Sequence, residues 1–129
     1  MIDLEDIKKF AQNRKEIESD AKSGDADSQY KLGCMYYAGC EIKQDYKKAF
    51  DLFMKAAEQG YPAAQHQLGD MYSDGIGIEK DNKKAAEWWL KAKEWIIEQN
   101  KGNTELLEAL KNLEKAYNED EDSKEADKQ

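Results

Sequence analysis

The 129 residues carry 28 acidic and 20 basic side chains, a net charge of −8, with 37% charged and 40% apolar residues. That length suits one domain with a thin continuous core, and one proline with eight glycines favours helices over sheet. Lysines interspersed among acids exclude a phosphate-backbone binder, which needs clustered basic groups, so no nucleic acid is expected as a partner.

Along the chain, Met1 to Phe10 includes Asp3, Glu5 and Asp6 and lacks the basic start and apolar run of a secretory signal. No stretch approaches the roughly 20 apolar residues that span a bilayer, so no membrane association is expected and a cytoplasmic location is predicted. Ile7, Phe10, Ala11, Ile17 and Ala21 share one face of a helix expected over 3–22, which would cap the first of two repeated units.

The duplication is explicit in the residues. Gly24 to Glu58 recurs as Gly60 to Glu94 at an offset of 36, with identical pairs such as Gln29/Gln65, Leu32/Leu68, Gly33/Gly69, Tyr36/Tyr72, Gly39/Gly75, Asp45/Asp81 and Ala56/Ala92. A period of this size signals stacked supersecondary units that cannot bury their apolar faces alone. Ala26 to Ala38 has helical apolar spacing and predicts a first A helix, stopped by Gly39. Gly33 costs that helix about 1 kcal/mol relative to Ala. Its repetition at Gly69 predicts a packing reason, the close approach of a neighbouring helix. Cys34 and Cys40 are too few for a disulfide framework, and a helix lasting to Ala38 holds them too far apart to bridge, so two free thiols are expected.

Asp45 is placed to cap a B helix whose buried stripe reads Ala49, Leu52, Phe53, Ala56 and Ala57. Gly60 closes the unit and Pro62 opens the second A helix, expected to run to Ser73. The glycine-rich loop from Asp74 to Ile78 lacks the Lys-Ser/Thr ending and preceding strand of a phosphate loop, and reads as a helix connection. Asp81 then caps a second B helix with the stripe Ala85, Trp88, Trp89, Ala92, Trp95 and Ile96, which puts both Trp88 and Trp89 in the core. Leu106, Leu107, Leu110, Leu113 and Tyr117 predict an amphipathic capping helix over Trp95, Ile96 and Ile97. The expected organisation is one domain, 1–118, with repeats at about 24–59 and 60–95, caps at 3–22 and 103–118, and a disordered acidic tail at 119–129.

The pattern Ala-x-x-Gln-x-x-Leu-Gly-x-Met-Tyr-x-x-Gly, then Ile-x-x-Asp-x-x-Lys-Ala and Lys-Ala-Ala-Glu-x-Gly, resembles the Sel-one-like repeat, a longer-looped relative of the tetratricopeptide repeat. The resemblance covers about Gly24 to Glu94. It implies an all-α, right-handed α-solenoid of two helix-turn-helix repeats between capping helices, and the work of an adaptor that gathers partners on the concave face of its A helices. A cysteine-rich bacterial branch of the family, linked to β-lactam hydrolysis, repeats a cysteine pair in every unit. Here Cys34 aligns with Asp70 and Cys40 with Ile76, so that chemistry does not carry over.

By the same analogy the groove positions are Asp27, Tyr30, Cys34 and Tyr37 in the first unit and Ala63, His66, Asp70 and Ser73 in the second. Tyrosine gives contact area at small entropic cost and a hydroxyl for specificity, and Asp27 and Asp70 suit a Lys or Arg of the ligand. The structural alternative is that Tyr30 or Tyr37 packs between A helices. Cys34 and His66 on adjacent A helices make a nucleophile pair conceivable, with Asp70 one turn beyond His66, but no oxyanion site is evident. A single His without a Cys-x-x-Cys implies no metal, and no cofactor is implied.

The function expected from the sequence is a non-enzymatic bacterial adaptor that binds a protein or peptide, as a monomer or weak homodimer. A second reading is an acidic immunity or inhibitor protein that neutralises a basic toxin. A thiol or β-lactamase-like hydrolase is the third.

Overall fold

Seven helices follow one another, with no strand among the described residues: α1 Leu4–Lys22, α2 Ala26–Ala38, α3 Tyr46–Glu58, α4 Pro62–Asp74, α5 Asn82–Lys91, α6 Lys93–Gln99 and α7 Thr104–Asp127. This computed structural model describes residues 4–127, with side chains at 4–5 and 13–121. The expected apolar contacts of Ile7, Phe10 and Ala11 lie outside the described side chains.

The two units repeat down to single hydrogen bonds. Asp45 accepts from the Lys48 amide and Asp81 from the Lys84 amide, both at 3.0 Å, so each B helix begins on a carboxylate cap. Gly39 and Gly75 end the A helices in the left-handed region at φ 71° and 68°, and their amides donate to Met35 O and Met71 O. The long A-to-B loops close identically, Asp45 N donating to Tyr36 O and Asp81 N to Tyr72 O at 2.9 Å.

Stacking depends on the repeated glycines. A Cβ at Gly33 would lie 2.8 Å from Cε1 of Phe53, and one at Gly69 would collide with the indole of Trp89. Phe53 and Trp89 occupy the same register, so each unit seats a B-helix aromatic ring against bare A-helix backbone. That is the packing reason the sequence predicts for both glycines.

The glutamines tie each A helix to the helix before it. Gln29 Nε2 donates to Ala21 O and Gln65 Nε2 to Ala57 O, both at 3.2 Å. The bond at Gln29 gives α1 the same relation to α2 that α3 has to α4, as a B-like cap requires. The main core joins Ala49, Phe53, Ala56 and Ala57 of α3 to Ala64, Leu68 and Met71 of α4. A second cluster joins Ala92 and Ile96 to Leu110 of α7, with Trp95, Ile97 and Leu113 against it, so α7 packs on the helices that end the second unit.

Four expectations change. The second B helix is not continuous: the Ala92 amide is shared between Trp88 O and Trp89 O at 3.2 and 3.1 Å, and the chain re-forms as α6. The break brings Ile96 against Leu110, while Lys93 Nζ pairs with Glu114 at 2.7 Å. Trp88 and Trp89 are half-buried rather than core. Trp88 lies under the Lys91 ammonium, 4.5 Å from its ring centroid, and Trp89 reaches out to donate to Asp70. Leu52, expected in the α3 stripe, is likewise half-buried at its edge.

Finally, α7 runs to Asp127, through most of the segment expected to be a disordered tail. The low hydropathy that predicts disorder comes partly from Glu, Lys and Gln, which are good helix formers although polar. Lys83 Nζ holds Glu121 at 3.2 Å, which ties this extension to α5. Cys34, half-buried, and Cys40, exposed, are both free thiols as expected.

Candidate partner-binding face

The spacing of Asp27, Tyr30, Cys34 and Tyr37 puts them on one stripe of α2, and Ala63, His66, Asp70 and Ser73 form the same stripe on α4. All eight are half-buried, neither sealed in the core nor standing free. The two stripes nevertheless differ in how they are filled.

On α2 the stripe is a packed aromatic layer. The Tyr30 ring lies 5.6 Å from Phe53 and 5.3 Å from Tyr61, and burial with a hydrogen bond to Cys34 pushes its hydroxyl up to about 12. Tyr37 meets Tyr46 edge-on at 5.2 Å. The structural alternative therefore describes much of what Tyr30 and Tyr37 do: their ring contacts are with α3 and Tyr61, and both pack against the core shared by α3 and α4.

Tyr61, which the sequence pattern does not single out, organises this layer. Its hydroxyl donates to Asp27 Oδ1 at 2.6 Å, while Lys31 pairs with Asp27 Oδ2 at 2.9 Å. The Tyr61 bond, then Lys31, holds the Asp27 carboxyl below its usual range. The Asp27 bond, then burial, pushes Tyr61 up to about 12. No twin marks Tyr61, since its equivalent is Ile97; its only sequence signal is an aromatic residue between Gly60 and Pro62.

The α4 stripe is open. Asp70 Oδ1 accepts from Trp89 Nε1 at 3.0 Å, and Oδ2 lies 3.8 Å from His66 Nδ1. The His66 ring is 5.7 Å from Trp95. Beside these groups a cleft of about 340 Å³ extends to α7, walled by Trp89, Ile96, Leu106, Leu110 and Leu113. The leucines belong to the α7 stripe that the sequence assigns wholly to capping; Leu106 is 37% exposed and lies on the cleft rather than under it.

This arrangement gives a nucleophile pair no support. Cys34 is partnered by Tyr30, His66 faces Asp70, and burial pushes the thiol up, away from the thiolate that a cysteine nucleophile requires. Among the described residues no group of three or more His, Cys, Asp or Glu is placed to hold a metal ion. No described helix is long and apolar enough to cross a membrane.

Comparison with known proteins places these elements in a family context. The Sel1 repeat model matches residues 26–61 and 62–94, together more than half of the chain. Among solved structures, a Sel1 repeat protein from Oxalobacter formigenes is similar at 37% identity and a TM-score of 0.55, over 57% of this chain and 30% of that one. A protective antigen of uropathogenic Escherichia coli strains, described as displaying an SLR fold, is similar at 39% identity and a TM-score of 0.59, over 61% of this chain and 17% of that one. The chain thus spans less than a third of the length of either protein. A search of curated protein sequences gives no match.

Proposed function

The chain belongs to the Sel1 repeat family, a helical repeat fold whose members generally mediate protein–protein interactions, and on that premise we propose that it is a non-enzymatic adaptor of bacterial cytoplasm. It takes a protein or peptide partner on the face formed by α2 and α4, acting as a monomer or weak homodimer without a cofactor. One observation carries this reading: the two A helices present matching stripes of half-buried residues, among them Tyr30, Tyr37, His66, Asp27 and Asp70, whose rings and carboxylates keep part of their surface open to a partner. Half-buried aromatics beside carboxylates are the groups that interfaces favour for contact area and orientation.

The test is affinity capture from the native cell, followed by titration of the captured protein. Asp27→Ala with Tyr37→Ser should weaken the complex about tenfold or more, while Lys55→Glu on the exposed side of α3 should leave it unchanged. Retention of the partner by the double variant would reject this face as the binding surface.

The net charge of −8 supports a second reading, an acidic inhibitor that meets a basic toxin. In that case association should slow steeply as salt rises from low to physiological strength. A complex insensitive to salt leaves the adaptor reading alone.

A further inference from the structure

The two repeats differ most where Asp27 and Tyr61 bridge the first one. Thirty-six residues on, these positions are Ala63 and Ile97, and Tyr30 is replaced by His66. The hydrogen bond from Tyr61 to Asp27 has no counterpart there, the ring contact is His66 with Trp95 at 5.7 Å, and the face opens into the cleft of about 340 Å³ between α4 and α7. The same scaffold position is therefore filled in one unit and hollow in the other.

We propose that this cleft receives a segment of a partner protein in which a bulky aliphatic residue adjoins an arginine or lysine, the aliphatic side chain entering between Ile96, Leu106 and Leu110 while the cation meets Asp70. This rests on the reading that the A-helix face binds a protein, and names the chemistry of the bound segment. The lining sets the two halves of the requirement. Its far wall is aliphatic and rewards apolar contact. Its near wall carries a carboxylate with one oxygen committed to Trp89 Nε1 and the other 3.8 Å from His66 Nδ1, beyond hydrogen-bond reach.

A purely apolar occupant would desolvate that carboxylate without compensation. An anionic occupant would be repelled by it and by the net charge of −8. A cation beside an aliphatic group answers both walls, because charge-assisted hydrogen bonds are about twice as strong as neutral ones. The volume is at the lower end of small-ligand sites, enough for one or two side chains and too small for a whole helix.

The experiment uses the full chain, with N-acetyl-leucyl-arginine amide and N-acetyl-leucyl-glutamate amide as probes, followed by nuclear magnetic resonance. The arginine dipeptide should saturably shift the Trp89 indole and His66 signals, and the glutamate dipeptide should not. Asp70→Asn keeps an acceptor for the indole and removes the charge, so affinity should fall about tenfold. Leu106→Lys, at a partly exposed position, should abolish the shift while leaving the fold intact. An unmoved indole, equal response to both dipeptides, or indifference to Asp70→Asn would overturn the proposal. Shifts confined to Tyr30 and Tyr37 would also overturn it while leaving the wider A-helix face in place; that wider reading fails separately, if the captured partner tolerates substitution of the face.

Discussion

Glu41 and Gly77 occupy the same position in the two A-to-B loops, and both have positive φ, 63° and 76°. Their tolerances differ because their surroundings differ. At Gly77 a Cβ would stand 2.8 Å from the carbonyl oxygen of Tyr46, backbone that cannot yield as a side-chain tip does. At Glu41 the residue already carries a Cβ, and its carbonyl accepts from Arg14 Nη1 at 2.7 Å. Gly77→Ala should therefore cost about 2–4 kcal/mol, combining left-handed strain with overpacking. Glu41→Gly relieves strain but frees the unfolded chain, so its gain should stay below about 1 kcal/mol. Urea unfolding of both variants checks this. Equal and opposite shifts would mean that the Tyr46 contact contributes nothing. The duplicated sequence made Gly33 and Gly69 legible as packing positions, because a glycine held at the same mid-helix place in both units accepts its helix penalty twice. It was silent about position 77, where the copies disagree and the constraint comes from a backbone atom of the preceding unit.

At the scale of the element, α7 combines an apolar face that is legible in the sequence with an extent that is not. Its leucine spacing identified the face that covers Ile96, and Leu110 is 7% exposed against that residue. Helix runs on to Asp127 where the sequence predicts a disordered tail from 119, because hydropathy measures what a segment can bury and not whether its residues favour helix. Its anchor, Glu121 on Lys83, joins residues far apart in sequence and cannot be read from spacing. Exposed ion pairs contribute roughly 0–1 kcal/mol. Deleting 119–129 should thus lower stability by less than about 1 kcal/mol, with a fall in helical circular dichroism. Leu110→Ala should cost about 2–4 kcal/mol. A deletion as costly as the leucine substitution would show that the extension, rather than the leucine stripe, holds α7 in place. The break at Ala92 was equally hidden, since Trp88, Trp89, Ala92, Trp95 and Ile96 fit an unbroken helix as well as two short ones.

Across the whole molecule, the first unit is joined to the second by a polar bridge as well as by the core. Asp27 of α2 accepts from Tyr61, at the start of α4, and Tyr30 lies tilted against that ring at 5.3 Å. Both hydroxyls are pushed up to about 12, Tyr30 chiefly by burial and Tyr61 chiefly by its bond to Asp27. A tyrosine raised in the folded state holds its proton where the unfolded chain has released it, so the folded form binds more protons between the ordinary value of about 10 and about 12. The stability it contributes is complete below pH 10 and is lost as pH climbs towards 12. The melting temperature should therefore hold steady up to about pH 10 and fall steeply above it, while phenolate absorbance shows a tyrosine class that ionises only as the fold is lost. Tyr61→Phe keeps the ring and removes the bond, so the alkaline fall should become shallower without disappearing, because burial still raises Tyr30. An unchanged profile in that variant would mean that the Asp27 bond does not couple the repeats. The acid side runs in the opposite sense: Asp27 is held low in the folded state, and its contribution is lost as pH falls below the ordinary aspartate range. The two limits act on one bridge, so the docking of the repeats should be firmest between them.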